Sequence, residues 1–266
     1  MDFIKNILAA PNDSREKTLF VAIALCLVAS IFVSTAAVAL RPLQESNKVL
    51  DMRRNILEIG GLMQPGKSVD ELFAAIETRV VDLQTGEYSD AVDPESYDPR
   101  KAAKDPAMSM ALSADVDIAS IKRQARYALV YLAKDADGQV KNIILPVHGY
   151  GLWSTLYGFV SLAPDTRTVT GFGFYDHAET PGLGGEVDNP GWKALWQGKQ
   201  IFDDQGQIAI TVVKGNVDPK SPSAAYQVDG LAGATLTSRG VQNLLHFWMG
   251  EQGYAAYLQN FRIQEG

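Results

Sequence analysis

The chain holds a single cysteine, Cys26, in 266 residues. That excludes an intrachain disulfide, and it excludes an iron–sulfur cluster or zinc ribbon ligated by thiolates of this chain alone. Any redox chemistry must therefore use a bound cofactor. Histidine is nearly as scarce. His148, His177 and His246 are the only three, and their spacing with carboxylates matches no zinc motif; His246 reads as a packed or surface residue. There is no Gly-x-x-x-x-Gly-Lys phosphate loop, no Gly-x-Ser-x-Gly elbow and no dinucleotide fingerprint, so hydrolase chemistry and NADH binding by this chain are unsupported. Basic character is missing too. With 24 Lys and Arg against 31 Asp and Glu and a net charge of -7, no basic stripe is available to displace counterions from nucleic acid. Repeats and low-complexity tracts are absent.

What is present is an ordinary globular composition, 46% hydrophobic and 21% charged, which argues against extensive disorder and against a multi-span membrane protein. The length suits one good-sized domain plus accessory segments. One uncharged run, Leu19 to Leu40, is long enough to cross the hydrocarbon core as a helix. A cleaved signal peptide is the competing reading, because Ala37-Val38-Ala39 resembles a cleavage site; the run exceeds the roughly 7–15 residues of a signal core, which favours a retained anchor. Lys5, Arg15 and Lys17 precede the run and Arg41 follows it. That excess places residues 1–18 in the cytoplasm and the rest outside. Cys26 lies mid-span and reads as a small apolar residue. Ser30 and Ser34 share a helix face that a second helix can approach.

Beyond Pro42, the residues Leu50, Ile56, Leu57 and Ile59 suggest a helix that stops near Gly60-Gly61. Ser68-Val69-Asp70-Glu71 is a capping box, and Leu72, Phe73, Ile76 and Val80 follow at helical spacing, predicting an amphipathic helix. Residues 86–125 read as an irregular connector with one short helix. From Tyr127 the pattern turns to strands: a hairpin about Asp137-Gly138, then Thr155–Leu162 and Thr168–Tyr175 flanking Pro164-Asp165-Thr166-Arg167. Trp192–Trp196 suggests a short helix and Ile208–Lys214 a strand. Val241, Leu244, Leu245 and Trp248 mark an amphipathic closing helix. The tryptophans Trp192, Trp196 and Trp248 read as core. The expected fold class is α+β, an antiparallel sheet with flanking helices preceded by one transmembrane helix (19–40), with residues 41–125 as a helical stalk and connector packed on an outer domain of residues 126–266.

Three strings carry most of the functional information. Asp229-Gly230-Leu231-Ala232-Gly233-Ala234-Thr235-Leu236-Thr237-Ser238 is a glycine-rich turn running into the last helix, with Thr237 or Ser238 as the expected N-cap. A helix start favours phosphate, because free N–H groups and the helix dipole point at the anion, and small neighbours leave the Thr235 hydroxyl open. A plain loop-to-helix turn accounts for the same residues. The second string is His177-Ala178-Glu179-Thr180-Pro181-Gly182-Leu183-Gly184-Gly185, preceded by Gly149-Tyr150-Gly151-Leu152-Trp153. Such Gly-punctuated loops suit close approach of backbone to a flat ring, and together they can shape one pocket.

In this order the strings resemble the FMN-binding domain of covalent flavoproteins, and nearly the whole chain, from KTLFVAIALCLVASIFVSTAAV to the C-terminal helix, resembles the C subunits of bacterial Na+-translocating NADH:quinone oxidoreductases. The resemblance implies that a flavin transferase, with FAD as donor, esterifies FMN through its phosphate to Thr235, with Asp229 as the leading acid of the motif. Ala232 departs from the serine or threonine usual there. It further implies that Gly233, Ala234, Leu236 and Thr237 at the attachment turn, His177, Glu179, Thr180, Leu183 and Gly184 on the second loop, and Gly151 and Trp153 on the first border the flavin. Lys214, at a strand end, either offsets charge near the ring or phosphate or is solvated surface. By the same resemblance, residues 126–266 form the FMN-binding domain of a single-pass inner-membrane protein. Its domain is periplasmic, its partners are other subunits of the complex, and it relays electrons from NADH toward ubiquinone in a sodium-transporting enzyme. The equivalent subunit of a ferredoxin:NAD oxidoreductase is the nearest alternative, and a membrane-tethered binding or assembly module without flavin is the alternative from another class.

Overall fold

A computed structural model describes residue 7, residues 9–12 and residues 14–265, the last two as backbone; Lys5, one of the cations counted toward membrane orientation, lies outside the described residues. The chain divides into two compact units, residues 1–50 and 51–266. Helix α1 (Arg15–Ile59) contains the apolar run, none of which is buried, and is long and apolar enough to cross a membrane. Its end lies where Gly60-Gly61 predicts. Gly61 takes a positive φ of 64°, the Leu62 N–H reaches the Leu57 carbonyl and the Gly61 N–H that of Glu58, the paired bonds of a Schellman termination.

In the second unit, six strands form one antiparallel sheet. They are β1 (Ile76–Asp82), β2 (Glu87–Tyr88), β5 (Tyr127–Lys134), β6 (Val140–Tyr150), β7 (Thr155–Leu162) and β8 (Val169–Asp176), in the order β2-β1-β5-β6-β7-β8. Between β2 and β5 lie α3 (Pro99–Ala102) and the small pair β3 (Ser109–Ala111) and β4 (Arg123–Ala125). The architecture is the expected α+β with flanking helices, and both central hairpins lie where the turn residues put them.

The segment after the capping box differs from expectation. Ser68 does cap, accepting the Glu71 N–H at 3.2 Å, but helix α2 covers only Val69–Phe73, and Ile76–Asp82 is a strand paired from Ile76↔Ala133 to Asp82↔Tyr127. Ile76, Thr78, Val80 and Val81 are β-branched and satisfy a period of two as well as one of four. A full ladder with β5 then decides against continuing the helix. The strand expected over Ile208–Lys214 shrinks to β9 (Thr211–Val212), parallel to β10 (Gln227–Val228). The short helix is α4 (Pro190–Ala194), capped by Asn189. The closing helix is α5 (Thr235–Met249), and a further helix not anticipated, α6 (Ala255–Glu265), follows the Gly250–Gly253 break.

Side-chain alternation splits the core across the sheet. One face carries Val130, Leu132, Ile143, Leu145, Val147, Val160, Phe172 and Phe174, packed with Trp192, Trp196 and the apolar side of α5. The other carries Tyr131, Ile144 and Phe159 against Ile56 and Ile59 of the last turn of α1. Pro146 sits inside β6 without penalty for a physical reason. The β5 ladder ends at Tyr131↔Ile144; farther along, the Pro146 carbonyl accepts from the Tyr254 hydroxyl at 2.8 Å, the His148 carbonyl from Trp248 Nε1 at 2.7 Å, and the Tyr150 N–H donates to the Ala119 carbonyl at 2.8 Å. The proline's missing N–H therefore falls where no partner strand awaits it.

Candidate functional site

The three strings meet at one carboxylate. Glu179 is 5% exposed. Its Oε1 accepts the backbone N–H groups of Leu152 (3.0 Å), Trp153 (2.9 Å) and Ser154 (3.2 Å), and its Oε2 accepts the Thr237 hydroxyl at 2.7 Å. Burial pushes its pKa up, but the Trp153 N–H, the Thr237 hydroxyl and the Leu152 and Ser154 N–H groups outweigh that and hold it below the usual glutamate range. Two glycines permit this convergence: a Cβ at Gly151 would lie 2.7 Å from Glu179 Oε1, and one at Gly184 2.6 Å from Oε2 and from Thr237 Oγ1. Gly240 lets α5 press on the first loop, since a Cβ there would meet the Tyr150 carbonyl at 2.5 Å. Ser154, which the sequence did not single out, adds a 2.7 Å bond from the Ala178 N–H to its Oγ.

Thr235 is the first residue of α5 and is exposed. The cap position is Ala234, which supplies no side-chain acceptor, so the first helical N–H groups lack the usual cap. Thr237 and Ser238, the expected N-caps, lie instead within the first turn and are buried. Both hydroxyls are committed elsewhere, Thr237 to Glu179 and Ser238 to the Leu231 N–H at 3.0 Å; tertiary partners outbid capping. Gly233 holds a φ of 72° beside Leu183, and Ala232 is exposed. Asp229 organises the turn, with Oδ1 accepting the Val217 N–H at 2.8 Å and its carbonyl accepting Trp192 Nε1 at 2.8 Å.

On the second loop, the Thr180 carbonyl accepts the Leu183 and Gly185 N–H groups. His177 Nδ1 accepts the Glu179 N–H at 3.2 Å, so Nε2 carries the proton donated to Asp188 at 2.7 Å. Lys193 joins that carboxylate at 3.5 Å. Lys214 is exposed, on the loop whose Gly215 carbonyl accepts the Gly230 N–H at 2.9 Å. Around these polar ties the strings expose Tyr150, Leu152, Trp153 (66%), Leu183 and Leu236 (52%). Large side chains left in water by a buried polar framework suit a flat, largely apolar ligand. No group of His, Cys, Asp and Glu suited to a metal occurs among the described residues.

The FMN-binding domain family matches residues 151–250, a span that includes all three loops from Gly151 onward and α5. The C subunit of Na(+)-translocating NADH-quinone reductase from Pseudomonas aeruginosa is 60% identical over 96% of this chain and 99% of its own length. The C subunit of the same enzyme from Yersinia pestis is 49% identical over 96% of this chain and 95% of its own. Among solved structures, NqrC of Shewanella oneidensis superposes with a TM-score of 0.74 at 35% identity, covering 80% of this chain and 97% of that one. The C subunit from Parabacteroides distasonis gives 0.63 at 30% identity, over 82% and 96%.

Proposed function

Since the chain belongs to the family of Na(+)-translocating NADH-quinone reductase C subunits, we propose that it carries FMN esterified through its phosphate to Thr235. With that flavin it serves as an electron-transferring subunit of the enzyme, between NADH and ubiquinone. The observation that carries the reading is the exposed Thr235 at a helix start without a side-chain cap, beside five exposed apolar side chains from the three loops. The uncapped N–H groups of α5 and the backbone of Gly233 and Ala234 suit a phosphate. Trp153, Leu152, Leu183 and Leu236 suit the ring, and the exposed Lys214 suits its negative charge.

Bound there, FMN supplies reversible electron uptake, which no side chain of this chain provides. The protein contributes placement. A covalent tether replaces a dissociation constant with a millimolar or higher effective concentration, so the ring can stay open to partners without being lost. Attachment requires a transferase that reaches Thr235, and the exposed turn Ala232-Gly233 leaves that approach clear. In this reading α1 anchors the protein in the inner membrane, the domain after it faces the periplasm, and the donor and acceptor of electrons are other subunits.

The test is intact mass and in-gel flavin fluorescence of the full chain coexpressed with the transferase. Thr235→Leu should lose the added mass and the fluorescence, while Thr237→Ala keeps both. A dark wild-type band, or a fluorescent Thr235→Leu band, refutes the attachment.

A further inference from the structure

Glu179 holds a charge that its scaffolding role does not require. Among the described residues its side-chain partners are three backbone N–H groups and one hydroxyl, with no Lys, Arg or His paired to it. A glutamine could accept the same N–H groups through its oxygen and bond Thr237 through its amide. Retaining an unpaired anion in a nearly buried position is costly, and the hydrogen bonds keep it ionised rather than letting it take up a proton. The other ionisable groups of these loops have partners of their own or face solvent, Glu186 accepting from the Asn189 amide at 2.8 Å. His177, Asp188 and Lys193 satisfy one another, Asp229 is tied to Val217, and Lys214 and Arg239 are exposed.

Resting on the flavin reading above, we propose that Glu179 is a positioning residue that also acts electrostatically, its fixed negative charge lowering the reduction potential of the flavin held by these loops. The carboxylate lies directly beneath the Leu152-Trp153-Ser154 backbone and against Thr237, two residues beyond the attachment hydroxyl. Every electron delivered to a flavin in this seat adds negative charge, only partly offset by protons taken from water. Because the carboxylate itself is buried, its charge opposes that gain with less screening than an anion in solvent would. The same carboxylate fixes the arch that presents Leu152 and Trp153, so geometry and potential are set by one group.

The experiment is a spectroelectrochemical titration at pH 8 of the full-length, flavin-loaded chain and two variants. Glu179→Gln keeps the acceptor geometry, and the midpoint potential of its flavin-loaded fraction should move to a more positive value. Thr237→Val removes a donor that partly neutralises the carboxylate, and its potential should move the opposite way. A structural role alone gives no such opposed shifts. Potentials equal to wild type in flavin-loaded protein, or shifts of the same sign in both variants, overturn the proposal; wild-type protein without flavin overturns the attachment reading first and this one with it.

Discussion

The indole Nε1 of Trp248 donates a 2.7 Å hydrogen bond to the carbonyl of His148, joining the middle of the sheet to a helix 100 residues later. It fills the place left by β5, whose ladder with β6 has ended at Ile144. Trp248→Phe keeps most of the apolar surface but leaves that carbonyl without its donor. The expected loss is about 1–3 kcal/mol, read as a lower midpoint in urea unfolding of the detergent-solubilised chain, with secondary structure preserved.

His148 itself makes stability depend on pH. Its ring stacks on Tyr157 at 5.4 Å and lies 5.0 Å from Trp248. Burial, assisted by the Arg100 cation and opposed by Asp117, pushes its pKa down to about 4. The unfolded chain, with an ordinary histidine near 6.5, takes up the proton first as pH falls. The contribution is therefore complete above about 6.5 and lost progressively down to about 4, at up to about 1.4 kcal/mol per pH unit. Unfolding free energies measured across this window should fall with pH in the wild type, and His148→Phe should flatten that part of the profile.

Gly171 and Gly173 of β8 make room for the last turn of α1, but not equally. A Cβ at Gly171 would stand 1.9 Å from the Ile59 carbonyl oxygen, a backbone atom, whereas one at Gly173 first meets the flexible Lys193 side chain at 3.3 Å. Gly171→Ala should cost roughly 1–3 kcal/mol or more through forced displacement, and Gly173→Ala distinctly less. Thermal melts of the two variants side by side decide the point.

Orientation in the membrane is testable with a reporter fused after residue 266. A reporter that functions only outside the cytoplasm should be active, and one that requires the cytoplasm silent. The reverse pattern would contradict the orientation drawn from the flanking cations.

Much of the fold was legible because its signals are local. Gly60-Gly61 ends α1 through a positive φ that glycine supplies cheaply, and Asp137-Gly138 and Pro164-Asp165 turn the two hairpins. The misreadings fall where local signals permit two answers. Ile76 to Val81 fits a helix or a strand until β5 is present to pair with it. Thr237 and Ser238 look like caps until Glu179 and Leu231 claim their hydroxyls. Helix α6 did carry an apolar pattern, Tyr257, Leu258 and Phe261, with Tyr254 just ahead of it, all buried, hidden behind the Gly250–Gly253 break.

By itself the sequence determined the apolar helix, the hairpin turns, and the three loops with Thr235 among them, since each depends on residues close together along the chain. Only the tertiary structure decided that those loops close on Glu179, that Thr235 opens to solvent while Thr237 turns inward, and that Trp248 and Tyr254 complete the edge of β6. Hydrogen bonds between residues tens of positions apart depend on how sheet and helices pack, and packing is not encoded in any single stretch of chain.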